Sequence, residues 1–195
     1  MDVGWKGENT IVTGPDTLHD VAKAQFDEVD ALLRAAFPTD AEARLVRMLR
    51  ADGDMLYEFQ KPWAGKIGGY FALSRMQEPA GWACLAPVAV RPEWQGGKLA
   101  EISPNREVGG PSEARARSLW RFGSRMLREL SGLYDIPSAG GQAGLPVAIV
   151  VLGKPSFYAR AGFSLERAQN LISPYPLDQT LILKQGDDVP QGRLI

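Results

Sequence analysis

The chain contains few of the residues from which a nucleophilic or metal-dependent site is usually built. His19 is its only histidine, and no Gly-x-Ser-x-Gly turn accompanies it, so a serine hydrolase site is not supported. Cys84 is the only cysteine, which excludes an intramolecular disulfide and a cysteine-based zinc site. The glycine pairs at 68–69, 109–110 and 140–141 match neither a dinucleotide-binding fingerprint nor a phosphate-binding Walker loop.

The segment 90–130 has the residue types of a binding turn, but in two separated halves. Its first half reads as the end of a strand followed by the glycine turn Gln95-Gly96-Gly97. Its second half reads as an amphipathic helix that contains Gly123 and Ser124. A strand-to-helix connection usually takes only a few residues, whereas about two dozen stand here. The sequence therefore raises the question of why this turn and this helix are held apart.

Composition indicates an ordinary globular protein. The chain has 195 residues, of which 45% are hydrophobic and 23% charged, with a net charge of -1, so we expect one domain over 1–195. A pI near 5.9 gives no electrostatic argument for nucleic acid. No apolar run approaches the roughly 20 residues that span a bilayer, and the N-terminus does not read as a signal peptide, so we expect no membrane and a cytoplasmic location.

The periodicity of apolar residues predicts a mixed α/β sheet with helices packed on it. A short strand is expected at 9–14. Helices are expected at 18–37, ended by Pro38, and at 39–53, opened by a Thr39/Glu42 capping box. Residues 185–195 carry Gly, Asp and Pro and are expected to be poorly ordered. The remaining elements are predicted strands at 55–61, 66–74, 82–90, 145–153 and 178–184, and helices at 118–130 and 155–163.

Four stretches, in this order and spacing, resemble the GCN5-related N-acetyltransferase (GNAT) family, in particular a bacterial small-molecule-type branch. They are AAFPTDAEARLVRMLR (35–50), CLAPVAVRPEWQGG (84–97), RFGSRMLREL (121–130) and VVLGKPSFYARAGF (150–163). The resemblance covers about residues 18–184. It implies a GNAT-like mixed central sheet, flanked by helices, in which two parallel strands splay apart.

The resemblance also implies acetyl-CoA as co-substrate and no metal. The pantothenate arm would lie in the gap between the splayed strands and bond to strand backbone, as an added strand would. The pyrophosphate would lie on backbone N–H groups at the loop and helix start, where a helix N-terminus attracts anions. Val88, Ala89 and Val90 match the first role, and Gln95, Gly96, Gly97, Arg121, Gly123 and Ser124 match the second.

Tyr158 matches the family's general acid, which would protonate the departing coenzyme A thiolate. A phenol with an unperturbed pKa of about 10 is protonated at neutral pH and is able to donate. The alternative is a packing role beside Phe157 and Phe163. The implied reaction is direct attack on the thioester by a primary amine of a small molecule or peptide. Its base is left open among Glu42, Glu58 and Glu78, and so is a homodimer.

The residues 98–120 are an insertion relative to the family's loop, and three interpretations are open. In the first, the insertion loops out and its two ends still meet. The free-energy cost is small, because the entropy lost on closing a loop grows slowly with the length of the loop. Alternatively it displaces the helix start, and the fold is then a catalytically degenerate binding or interaction module. In the third, the arginines from Arg115 to Arg128 form a solvated face that pairs with Glu113 and Glu129.

Overall fold

The computed structural model describes residues 17–63, 65–95, 122–135, 145–186 and 188–195. The strand predicted at 9–14, the insertion 98–120, and Gly96, Gly97 and Arg121 lie outside these ranges.

The centre of the molecule is a six-stranded sheet in the order β1-β2-β3-β4-β5-β7. The pair β4 and β5 runs parallel, and the other neighbouring strands are antiparallel. A small parallel pair, β6 and β8, forms a second sheet. The strands are β1 His19–Asp20, β2 Met55–Trp63, β3 Lys66–Arg75, β4 Trp82–Val90, β5 Ala148–Leu152, β6 Leu171–Ile172, β7 Thr180–Lys184 and β8 Gly192–Arg193.

Helices cover both faces of the sheet, and the alternation of side chains along the strands decides which core each residue joins. On one face, Phe71 and Leu73 pack with the apolar side of α3. On the other face, Tyr70 and Ala72 pack with α1 and α2. The helices are α1 Phe26–Ala36, α2 Ala41–Asp52, α3 Phe122–Asp135 and α4 Pro155–Tyr158. The predicted mixed α/β sheet flanked by helices is confirmed.

In the N-terminal part, two segments differ from the prediction made from sequence. Residues 18–25 were expected to begin the first helix, but they contain β1 and a 3-10 turn at Lys23–Gln25. The reason is that the Val21 N–H donates to the Glu58 carbonyl of β2, 3.0 Å away, instead of to a helical turn. The capping box at Thr39 does not form either, because Asp40 is the N-cap and its carboxylate faces Arg34 and Arg44.

The C-terminal residues 188–195, expected to be poorly ordered, pack back on the domain. They contain β8, and Leu194 is 5% exposed in a core with Trp82 and Val150. The Ile195 N–H and carbonyl bond to the backbone of Gln77 and Glu78. Pairing with β6 and the burial of Leu194 therefore order this segment despite its Gly and Pro content.

Candidate active site

The site begins where β4 and β5 separate. They pair only at Trp82 to Cys84, opposite Ala148 to Val150. Just beyond, Ala86 and Pro87 lie in a register shift against β3, which is a bulge that bends and twists the strand. Pro87 also has no N–H to donate to a neighbour. The rest of β4 therefore leaves its β5-facing edge without a strand partner among the described residues.

A cavity of about 520 Å³ lies along this separation, which we call the Tyr158 cavity. It is lined from one side by β4, from a second by the start of α3, and from a third by α4. Predicted site residues from three distant parts of the sequence meet here, namely Val88, Val90, Gln95, Gly123, Ser124 and Tyr158. The Gln95 amide donates to the Val90 carbonyl at 2.9 Å and fixes the end of the strand against the cavity.

Ala89 is the one described residue of the predicted set whose side chain does not line this cavity. It is 2% exposed and packs with Tyr70 and Val29 on the α1 face. Period-two alternation along β4 requires this, because Val88 and Val90 point the other way. Ala89 therefore contributes its backbone only to the edge of β4.

Gly123 lets the start of α3 approach β4 and α4 closely. A Cβ atom built there would lie 3.2 Å from Val90 Cγ2 and 3.3 Å from Phe157 Cζ, tighter than ordinary contacts. The 14-residue helix α3 has Gly123 and Ser124 at its N-terminal end, so the positive end of its dipole faces the cavity that these two residues line.

Tyr158 lies in an aromatic and largely buried setting. Its ring meets Phe157 and Phe163 edge to face, with centroids 5.0 and 5.9 Å away. Burial, and secondarily the Cys84 thiol, raise the pKa of this phenol above its usual value. Its hydroxyl has no hydrogen-bond partner within the described ranges, so the donor is available to a bound molecule. Packing and a donor role thus coexist in one residue.

The sequence prediction missed four residues of the Tyr158 cavity, which are Lys154, Ser156, Phe157 and Arg160. All belong to α4 or its ends. Lys154 and Arg160 are the only basic residues in 153–163, and that charge was the available signal. Because α4 packs against the start of α3, both cations flank the same opening as Ser124.

A second cavity of about 680 Å³, which we call the Cys84 cavity, lies where the sheet opens on the other face. Cys84 and Val150 form its floor at the last paired positions of β4 and β5. Residues 172–175 and the C-terminal segment form its walls. β4 lines both cavities, with Cys84 in the Cys84 cavity and with Val88 and Val90 in the Tyr158 cavity.

None of the three carboxylates considered as bases lines either cavity. Glu58 is already engaged: Arg50 Nε lies 3.1 and 3.0 Å from its two oxygens, and the Tyr70 hydroxyl donates to it at 2.7 Å. Glu129, expected to pair with arginines, instead binds Lys61 at 2.6 Å. No Asp, Glu or His side chain of the described ranges lines the two cavities.

The Tyr158 cavity fits an extended, phosphate-bearing acyl carrier. The open edge of β4 offers backbone bonds to an extended chain. The start of α3, Lys154 and Arg160 supply positive charge that suits phosphates. The partly buried phenol of Tyr158 adds a proton donor to the same lining.

Comparisons with known proteins agree with this class. The chain is 33% identical over 152 residues to the uncharacterized N-acetyltransferase YhbS of Escherichia coli K12, covering 76% of this chain and 73% of that protein. The crystal structure of Escherichia coli YhbS, a GNAT family N-acetyltransferase in complex with CoA, has a TM-score of 0.59 and 25% identity, over 94% and 93% of the two chains. A GNAT family acetyltransferase from Brucella melitensis, in complex with acetyl-CoA, shares the fold at 22% identity and a TM-score of 0.58, over 91% and 92%. No family model matches the chain.

The chain therefore belongs to the GNAT family of N-acetyltransferases. The catalytically degenerate module is not favoured, because the similar proteins are named as acetyltransferases. No described helix is long and apolar enough to cross a membrane.

Proposed function

We propose that this acetyltransferase binds acetyl-CoA in the Tyr158 cavity and transfers the acetyl group to a primary amine, of a small molecule in the first instance or of a peptide. The observation that carries the proposal is the meeting of β4, α3 and α4 around one cavity at the point where the parallel strands separate. CoA and acetyl-CoA in the similar crystal structures support this ligand.

In this arrangement β4 holds the pantothenate arm, and Gln95, Gly123 and Ser124 hold the pyrophosphate with Gly96, Gly97 and Arg121. Acetyl-CoA supplies a thioester carbon that accepts a nucleophile and a sulfur that leaves. The amine nitrogen forms a C–N bond as the C–S bond breaks. Tyr158 gives its proton to the departing sulfur, water takes the proton that the amine loses, and the solvent returns a proton to the Tyr158 phenolate. Backbone donors near Val88 stabilise the charge on the carbonyl oxygen.

The acceptor reaches the thioester from the Cys84 cavity. This cavity opens on the sheet face opposite α3, so a coenzyme on one face leaves the other face free. Its lining is mostly apolar, and its floor is the point where the strands part. An amine placed there lies within reach of a thioester in the gap.

The test is calorimetric titration with acetyl-CoA and with free coenzyme A, followed by an amine screen for thiol release. We expect micromolar binding of both ligands and thiol release that depends on the amine. Absence of binding at millimolar ligand would refute the proposed function and would support the degenerate module. A homodimer and a cytoplasmic location remain proposals, which sedimentation and cell fractionation would test.

A further inference from the structure

The walls of the Cys84 cavity combine exposed apolar side chains with two arginines that form no ion pair with a described residue. Leu152, Ile172, Tyr175 and Ile195 are 37%, 65%, 56% and 55% exposed, and all four line this cavity. Large apolar side chains gathered at one opening mark a binding site. This concentration indicates a ligand with an apolar body.

Arg75 and Arg193 line the same cavity, and both are exposed. Neither forms an ion pair with any residue of the described ranges. Elsewhere, by contrast, Arg44, Arg50 and Arg167 each pair with a carboxylate.

The described lining of the cavity includes no acidic side chain, and the main-chain oxygen of Ile195 in this lining accepts from the Gln77 and Glu78 N–H groups rather than from a guanidinium group. A guanidinium group presents a planar fork of donors that matches a carboxylate or phosphate. Two of them beside an apolar wall therefore select for a molecule that is apolar and anionic at once.

We propose that the acceptor is a primary amine on an apolar scaffold that carries a carboxylate or phosphate, and that Arg75 and Arg193 bind this anionic group at the Cys84 cavity. The inference rests on the proposed function, because it assigns the acceptor to this cavity. The two positive charges have a second effect. They disfavour the ammonium form of a nearby amine and so raise the fraction that is neutral and able to attack.

Matched acceptors test the proposal. We would compare kcat/KM for 2-phenylethylamine and 4-(2-aminoethyl)benzoate, and for tyramine and its O-phosphate, at saturating acetyl-CoA. We expect the anionic member of at least one pair to be preferred by roughly tenfold, about 1.4 kcal/mol. The pair with the larger preference for its anionic member shows whether the site prefers a carboxylate or a phosphate.

The variants Arg75→Gln and Arg193→Gln should bring that ratio towards one. Arg44→Gln is the matched control, because Arg44 is an exposed arginine on α2 that lines neither cavity. It should keep the ratio of the unchanged protein. Equal kcat/KM within both pairs, or a ratio that survives in the Arg75→Gln/Arg193→Gln double variant, would overturn the proposal.

Binding can be followed without turnover through the single thiol. Cys84 forms part of the cavity floor, so an occupied cavity should slow its alkylation by iodoacetamide. The anionic amines should protect Cys84 at lower concentration than their neutral partners, and the arginine variants should lose this difference. Equal protection by both members of each pair overturns the acceptor class even if no acetyl transfer is seen. A failure of the proposed function would appear separately, as absent acetyl-CoA binding.

Discussion

At the scale of single residues, the proposed chemistry depends on a partly buried phenol whose hydroxyl has no hydrogen-bond partner among the described residues. The edges of Phe157 and Phe163 fix the Tyr158 ring, and Gly153 backs it: a Cβ atom at Gly153 would lie 2.6 Å from Tyr158 Cε2. No described side chain bonds to the hydroxyl, so its proton is free for the departing sulfur. The aromatic setting orients a donor that reacts only with what enters the cavity.

Tyr158→Phe should therefore lower kcat at least tenfold, a loss of about 1.4 kcal/mol of transition-state stabilisation, while the Kd for acetyl-CoA stays nearly unchanged. The ring packing survives in phenylalanine, and only the proton donor is removed. Steady-state kinetics with calorimetry measure both quantities. A parallel loss of coenzyme binding would mean that Tyr158 serves mainly to pack the cavity wall.

The pH dependence of the reaction should have two separate origins. In the proposed reaction the acceptor loses its proton to water, so kcat/KM should rise about tenfold per pH unit below the amine's own pKa, about 10 for alkyl amines. Burial raises the pKa of Tyr158 above its usual 10.0, so the donor keeps its proton across this range and activity should fall only at a pH above that value.

Acceptors of lower amine pKa provide the check, since the rising limb should move with the pKa of each acceptor. If the rising limb of kcat/KM stays at the same pH for all acceptors, the proton goes to a base on the protein. Tyr158→Phe should lose the high-pH fall and keep the rising limb.

At the scale of elements, the position of α3 on the sheet is set by one glycine of β3. A Cβ atom at Gly69 would lie 2.8 Å from Met126 Sδ and 2.9 Å from Phe122 Cε1. Phe122 is the first residue of α3, and Gly123 and Ser124 follow it in the Tyr158 cavity. Close contact between sheet and helix thus determines where the N-terminal end of α3, proposed to bind phosphate, lies.

Gly69→Ala should destabilise the fold by about 1–3 kcal/mol through overpacking and should weaken acetyl-CoA binding, because the start of α3 is pushed away. Gly132→Ala is the control on the same helix. Its new Cβ meets nothing within 4 Å, and replacing a helical glycine should stabilise by roughly 0.5–1 kcal/mol. Urea denaturation and calorimetry measure both effects. If Gly69→Ala left the coenzyme affinity unchanged, the packing of α3 on the sheet would not determine coenzyme binding.

The elements themselves were largely predictable from sequence, since β2 to β5, β7 and the main helices follow clear apolar patterns. The apolar periodicity of a segment carries no information about a strand partner that is distant in the sequence. Val21 joins β2 through a bond to Glu58, and β8 exists only because β6 lies beside it. Two-residue strands carry no detectable period of their own.

The candidate site was predictable only in part, for a related reason. Val88, Val90, Gln95, Gly123, Ser124 and Tyr158 could be named from motifs that resemble a known family. The Cys84 cavity could not be predicted, because Arg75, Cys84 and Arg193 come from β3, β4 and β8 with no common motif. Only the sheet order brings them to one opening.

At the scale of the whole molecule, each face of the sheet supports one of the two cavities. Ile149 and Val151 belong to the core under α3, while Ala148 and Val150 belong to the core shared with Leu194. The first core supports the Tyr158 cavity, and the second supports the Cys84 cavity. Damage to one face should therefore affect one substrate more than the other.

Leu194→Ala tests this division. Leu194 is 5% exposed in the second core, so its truncation should cost about 2–5 kcal/mol of folding stability and should raise the KM for the acceptor. The Kd for acetyl-CoA should stay nearly constant, because the proposed coenzyme site lies on the other face.

Val189→Ala is the control in the same segment. Val189 is 45% exposed, and truncation of its side chain should change stability by less than about 0.5 kcal/mol. Measurements below the unfolding transition separate the effect on KM from simple loss of folded protein. If acetyl-CoA affinity fell as much as acceptor affinity, the two cavities would behave as a single site supported by one continuous core.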